Sequence, residues 1–400
     1  MLPPLLTSSR LRATRPVHYS NEFLSTRFRD SPFGAPKSSF KETSHQISGH
    51  GRRRVQILKE ALADTEEMTD ADYYGQGVII EEFQNKIAEY LGKESAVFFP
   101  SGTMAQQIAL RIWCDQKNLH KVAYHPLCHL EIHEEGGLRH LHHIEPILVG
   151  APDRLIDLAD VVNLPESVAV LLLELPQREI GGQLPPFETL QDIAHVCRER
   201  GIVLHLDGAR LFEVLPYYQK TAAEVSALFE SVYVSFYKGI GGIAGAILAG
   251  PKPFTDQAKI WKRRHGGDLI SLYPYILSAD YFFHRRVNNM ARYYAQAQEL
   301  AARFNRLQGV WTMPLVPVSN MFHVYIDLPK EQVEAILEQL HRASAIGLTG
   351  VLREQGTHSR SFEVSVGDQL GMIPELALRD LFDQFNTLLL DAVRTKESVD

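Results

Sequence analysis

Apolar runs and amphipathic stretches alternate along most of this chain. "SAVFFP" (residues 95–100) is a short unbroken apolar run, and "TMAQQIALRIW" just after it repeats apolar positions at the three-and-four spacing of a helix. "SVAVLLLEL" (167–175) shows no alternation at all, so both of its faces must be covered. The helical stretch "FETLQDIAHVCRER" leads into another apolar run, "GIVLHLD". "SVYVSFY" and "AGAILAG" add two more strands, and a long helix is expected over about 278–308. Beyond it, "SNMFHVYIDL", "EQVEAILEQLHRA", "SFEVSV" and "PELALRDLFDQFNTLLLDAV" read as strand, helix, strand and helix. The order predicts an α/β architecture, a mainly parallel sheet covered by helices, followed by a smaller α+β unit. Residues 41–310, including an N-terminal segment, form the expected large domain, and 311–395 the small one. Two cores suit 400 residues, because one hydrophobic core stops growing at roughly 250–300.

Composition narrows the function classes. With 45% hydrophobic and 22% charged residues the chain is ordinary and globular, and a formal net charge of -7 leaves no basic face for nucleic acid or anionic lipid. No apolar run reaches the ~18 residues of a membrane span. Cys114, Cys128 and Cys197 are too few and too scattered for a disulfide framework or a zinc site, which points to a reducing compartment such as the cytoplasm. The opening "MLPPLLTSSRLRATRPVHYS" carries Arg10, Arg12 and Arg15, several hydroxyl residues and no acid. Residues 1–40 therefore read either as a disordered tail or as a mitochondrial transit segment.

In open parallel sheets the ligand lies beyond the carboxyl ends of the strands, and three features sit at such ends. Asp207 and Arg210 follow the run "GIVLHL"; Lys238 ends "VSFYK" ahead of a glycine-rich loop; Ser101, Gly102 and Thr103 form a strand-to-helix turn whose free N–H groups suit a phosphate. Each has a bland explanation alone: a helix cap, a solvated turn, a paired surface charge. Together they ask for one ligand with a ring nitrogen for Asp207, an aldehyde for Lys238 and a phosphate for residues 101–103. Pyridoxal 5'-phosphate has all three groups.

At these positions the chain resembles a known family. "YYGQG", "FFPSGTMAQQIAL", "HLEIHEEGG", "LHLDGARLFEV" and "SFYKGIGG" are similar, in the same order, to motifs of the low-specificity threonine aldolases, in the β-eliminating lyase group of fold-type-I pyridoxal phosphate enzymes. The resemblance spans roughly 45–390 and implies a transferase-like fold. It further implies that His129, from the pattern that includes Glu134, Gly136 and Gly137, lies flat on the cofactor ring. Lys238 would condense with the aldehyde, Asp207 keep the ring nitrogen protonated and Arg210 grip the substrate carboxylate. Ser48 and Arg360 fall where the family has its other carboxylate contacts; Tyr74 would contact substrate or phosphate across a subunit interface of a homodimer or homotetramer. The implied reaction on a small amino-acid substrate is retro-aldol cleavage of threonine or a related β-hydroxy amino acid to glycine and an aldehyde, with His129, or a water it holds, as base.

His129 and His133 alone would suggest a metal pair, but the zincin order needs Glu directly after the first His, and Leu130 stands there, so no metal is expected. His140, His142 and His143 read as polar decoration of that region. Several departures keep the substrate open. Glu174, Leu175, Pro176 and Gln177 replace a polar "ENTH"; Tyr237 precedes Lys238 in place of Ser; Ile270 stands where an arginine is usual; and "SGHG" (48–51) replaces "SDTVT". Two alternatives stay beside the aldolase: another pyridoxal phosphate reaction, β-elimination or racemisation, or a non-catalytic protein that keeps the fold.

Overall fold

The computed structural model describes residues 38–397 apart from 64, 67 and 356–358, so the expected tail lies, up to residue 37, outside the described residues. The central sheet contains β1 (Ser95–Phe99), β2 (Lys121–Tyr124), β3 (Glu145–Leu148), β4 (Val170–Glu174), β5 (Val203–Gly208), β6 (Ser231–Ser235) and β7 (Ala246–Gly250). Their order is β1-β7-β6-β5-β4-β2-β3, and β7 alone runs antiparallel to its two neighbours. The reason is local. A parallel return needs a crossover of about a dozen residues or more. Residues 236–245, between β6 and β7, contain no helix, so the chain turns straight back and Lys238 lies in the turn. β2 and β3 escape the sequence pattern because runs as short as "KVAY" and "EPIL" offer too few positions to show a period.

Strand alternation splits the core into two layers. Val97, Phe99, Tyr124, Val170, Leu172 and Tyr233 face the helices Gly102–Lys117 and Lys252–Arg264, while Ala96, Phe98, Leu171, Leu173, Val232 and Val234 face the other layer. By the same alternation His205 and Asp207 of β5 project with Val203 toward the helix Gly102–Lys117. The expected long helix is two, Tyr273–Arg286 and Met290–Phe304, joined by a 3₁₀ turn at Val287–Asn289.

The second sheet contains β8 (Val310–Met313), β9 (Met321–Ile326), β10 (Arg353–Gln355) and β11 (Ser359–Ser365), antiparallel in the order β10-β11-β9-β8. The N-terminal segment, grouped with the large domain in the sequence reading, pairs here with the C-terminal unit: His45–Gln46 lies parallel to Ile346–Gly347. A two-residue pairing leaves no periodic trace. Among the described residues no helix is long and apolar enough to cross a membrane.

Candidate active site

Asp207 ends β5 and is 2% exposed. The backbone N–H of Ala209 donates to its Oδ1 at 3.0 Å, and Nε2 of Gln106 donates to its Oδ2. Beside it, Glu174 ends β4 as the register partner of Asp207. Two buried carboxyls at one sheet edge cannot both ionise freely. Burial first, and then the charge of Asp207, push Glu174 upward. Burial raises Asp207 too, but His129, Lys238 and the Ala209 N–H oppose the rise.

Lys238 is the third residue past β6, in the return turn. Its amine is lowered to about 8, by burial and then by the nearby guanidinium groups of Arg210 and Arg178. The turn is pinned on both sides. Gly239 N–H donates to Glu213 Oε1 at 2.9 Å, and His50 Nε2 donates to the Gly239 carbonyl at 2.7 Å. Any side chain at Gly239 would overlap the Glu213 carboxylate, which is why glycine follows the lysine.

His129 opens a short helix after β2, with Nδ1 3.2 Å from Glu134 Oε1. Glu134 is itself held by Gln107, whose Nε2 donates to Oε2 at 2.8 Å. A Cβ at Gly137 would overlap that amide, so the glycine makes room for the contact. Burial alone would lower the His129 imidazole, but the hydrogen bond to Glu134 and the charges of Asp207, Glu134 and Glu174 outweigh it and raise it. His133 turns away to Glu179 at 3.1 Å, and no group of His, Cys, Asp or Glu able to hold a metal ion occurs among the described residues.

The helix Gly102–Lys117 starts in the cavity, and Ser101 at its cap makes no side-chain hydrogen bond to the first-turn N–H groups. Those donors are the kind of site that an anion fills. Gly102 sits against Tyr233, where a Cβ would overlap the phenol oxygen. Gly102→Ala is therefore expected to lower stability by about 1–3 kcal/mol through overpacking, read as a lower urea midpoint at unchanged slope. An unshifted midpoint would mean that Tyr233 gives way freely.

One cavity is lined by Gly102, Thr103, His129, Asp207, Arg210 and Lys238. Ser101 adjoins it as the helix cap. Three predicted site residues line other places. Arg360 alternates with Phe362 and Val364 on the core side of β11 and donates to the Ser359 carbonyl at 2.7 Å. Ser48 Oγ accepts the Ser365 N–H at 3.3 Å. Tyr74 is 40% exposed, edge-on to Tyr73, with its N–H on the Ile270 carbonyl at 3.1 Å.

Sequence reasoning missed the groups that surround the arginine. Glu363, on the opposite face of β11 from Arg360, accepts from Arg178 Nε at 2.8 Å and lies 3.8 Å from Arg210. Burial would raise Glu363, yet the neighbouring His323, Arg178 and Arg210 hold it well below the usual carboxylate range. Gln106 and Gln107 were visible only as two polar residues in an otherwise apolar helix face.

The beta-eliminating lyase family model matches residues 59–327. Low-specificity L-threonine aldolase 1 of Arabidopsis thaliana is 24% identical over 322 residues, which cover 77% of this chain and 87% of that one. A solved structure from Listeria monocytogenes EGD-E, described as a candidate L-allo-threonine aldolase, is 55% identical, covers 88% of this chain and 98% of its own, and superposes with a TM-score of 0.87. One from Exiguobacterium sp. 255-15, described as a candidate aromatic amino acid beta-eliminating lyase/threonine aldolase, is 56% identical, with coverages of 88% and 99% and the same TM-score of 0.87.

Proposed function

This chain belongs to the beta-eliminating lyase family, and from that membership and the geometry above we propose that it is a pyridoxal-phosphate-dependent aldolase that cleaves threonine or a related β-hydroxy amino acid to glycine and an aldehyde. The observation that carries the proposal is the pairing of Asp207 and Lys238 on one cavity. Asp207 is a buried carboxylate whose two hydrogen bonds come from neutral donors. A buried charge with no cation in hydrogen-bond contact is costly, and a protonated ring nitrogen would supply one. The phosphate would rest on the N–H groups of Gly102 and Thr103.

When bound, the cofactor supplies an aldehyde that condenses with amines and a protonated ring that draws electrons from the carbon beside the amine. The chain's own residues do the rest. Lys238 Nζ provides the amine, partly neutral near pH 8. Asp207 keeps the proton on the ring nitrogen. Arg210 grips the substrate carboxylate with a planar fork and so selects which bond at Cα stands perpendicular to the ring. Arg178 stands close enough to Lys238 to lower its proton affinity, and takes the second position beside that carboxylate in place of Arg360. His129 presents Nδ1–H to Glu134, which leaves Nε2 as the acceptor for the substrate hydroxyl proton. Loss of that proton would let the Cβ–O bond become the aldehyde carbonyl as the Cα–Cβ bond breaks, with the electron pair left at Cα to be taken up by a proton before glycine leaves.

Tyr74, with the left-handed φ of 48° that bulky residues seldom adopt, stands with exposed Tyr73 and Ile270 on the face we assign to a second copy of the chain. Light scattering that returns a monomer would reject that assignment.

Uptake of pyridoxal phosphate should follow the neutral amine. With Lys238 near 8, the loading rate rises roughly tenfold from pH 7 to pH 9 and then flattens, whereas an ordinary lysine would keep rising about tenfold per pH unit. Stopped-flow absorbance distinguishes the two. For the reaction, the purified protein is given L-threonine, L-allo-threonine, phenylserine and L-serine. Glycine with the matching aldehyde supports the proposal; pyruvate and ammonia from serine, without aldehyde release, would replace it with β-elimination.

A further inference from the structure

Behind Asp207 runs a line of buried polar groups that the reaction above does not use. Trp113 Nε1–H donates to Ser231 Oγ at 2.8 Å, and that oxygen lies 2.7 Å from His205 Nδ1. His205 Nε2 lies 2.9 Å from Gln106 Oε1, and Gln106 Nε2 donates to Asp207. His205 and Ser231 are register partners on β5 and β6, both fully buried. Their neighbours in that layer are apolar, so Leu or Val would be the cheaper choice at either position.

The two ends set the direction of every bond between them. An indole N–H can only donate, and an ionised carboxylate can only accept. Because Gln106 spends an amide hydrogen on Asp207, its oxygen must accept, which puts the histidine proton on Nε2. Nδ1 then accepts from the Ser231 hydroxyl, whose lone pair receives the indole. All four donors therefore point toward Asp207, and such aligned bonds polarise one another in a low-dielectric interior. Burial holds the His205 imidazole down at about 3, so the line stays neutral at any working pH.

Neutrality matters. An arginine or a charged histidine in place of Gln106 would compensate the Asp207 charge and leave less of it for a ring nitrogen, whereas a neutral donor orients the carboxylate without cancelling it. Resting on the cofactor reading given above, we propose that Trp113, Ser231, His205 and Gln106 form a one-way hydrogen-bond relay that holds Asp207 oriented and ionised, and thereby sets the protonation of the cofactor ring nitrogen. Gln106 is a positioning residue for the reaction.

The test uses the full-length protein loaded with pyridoxal phosphate. In Gln106→Leu the affinity for pyridoxal phosphate, measured by fluorescence titration, should fall about tenfold. The pH at which the visible cofactor band titrates should shift, and kcat should drop more than KM rises. Ser231→Ala, which leaves every contact of Asp207 in place, should move the same titration in the same direction by less. A Gln106→Leu protein with native circular dichroism, unchanged affinity and an unchanged band titration would overturn the relay. If that variant does not fold, Ser231→Ala alone decides, and an unshifted titration rejects the proposal. Nitrogen-15 spectra of the histidine rings, taken without cofactor, should find His205 protonated on Nε2; a proton on Nδ1 reverses the direction and sinks the relay whatever the cofactor does. A wild-type protein that forms no visible band with pyridoxal phosphate is a different failure, that of the cofactor reading itself.

Discussion

Lys238→Ala protein is expected to stay colourless when mixed with pyridoxal phosphate and to lose at least about a thousandfold in aldehyde release, while folding as well as the wild type. The argument rests on where the amine sits. Burial and two guanidinium groups hold it at about 8, below its ordinary value, so the folded state disfavours its charged form. A lysine whose folded pKa is depressed lowers stability at pH values beneath its unfolded pKa, and truncation removes that burden. A melting temperature equal to or above the wild type, with the band abolished, is the predicted pair of results. If the band persisted, a different amine would have to carry it. Lys262 is the next residue to test: burial lowers its amine as well, against the opposing charge of Asp268 at 3.0 Å.

Asp207→Asn should lower kcat by roughly a hundredfold to a thousandfold with a much smaller change in KM, because the carboxylate acts on charge that develops in the reaction rather than on substrate binding. The stability effect has the opposite sign. Burial raises the folded pKa of Asp207, so its ionised form destabilises the cofactor-free protein above the unfolded pKa of a carboxylate, and that loss grows as pH rises through the acid range. The neutral amide escapes it. Thermal melts of cofactor-free wild type and variant at neutral pH should place the variant higher, and melts near pH 3 should bring the two together. A variant that melts lower at neutral pH and keeps its activity would show that Asp207 serves the fold alone. Greater stability bought with lost turnover is the usual relation at a preorganised charge.

The cost of such charges explains why much of the candidate cavity's lining was legible in the chain. Asp207 and Lys238 interrupt apolar runs at strand ends, where a charge has no packing reason to be. The residues 100–103 mark a strand-to-helix turn by local chemistry alone. Arg360 was legible too, in the other direction: in "SRSFEVSV" it alternates with Phe362 and Val364, and that period already assigns it to the core side, where the strand holds it. The family pattern overrode a signal that the local sequence carried.

Gln106, Glu363 and Arg178 were not legible in the same sense. Gln106 meets Asp207 across 101 positions of chain, and Arg178 meets Glu363 across 185. Period and propensity act within a few residues, so they say which way a strand faces and where it stops, and here they located five of the seven strands of the central sheet, part of its helical cover and the charges at its edge. They are silent about which strand lies beside which. That choice came with the order β1-β7-β6-β5-β4-β2-β3, which sets Glu174 against Asp207 and His205 against Ser231. Contacts between distant segments exist only after the layers have packed, and the proton on each buried group depends on the neighbours that packing supplies.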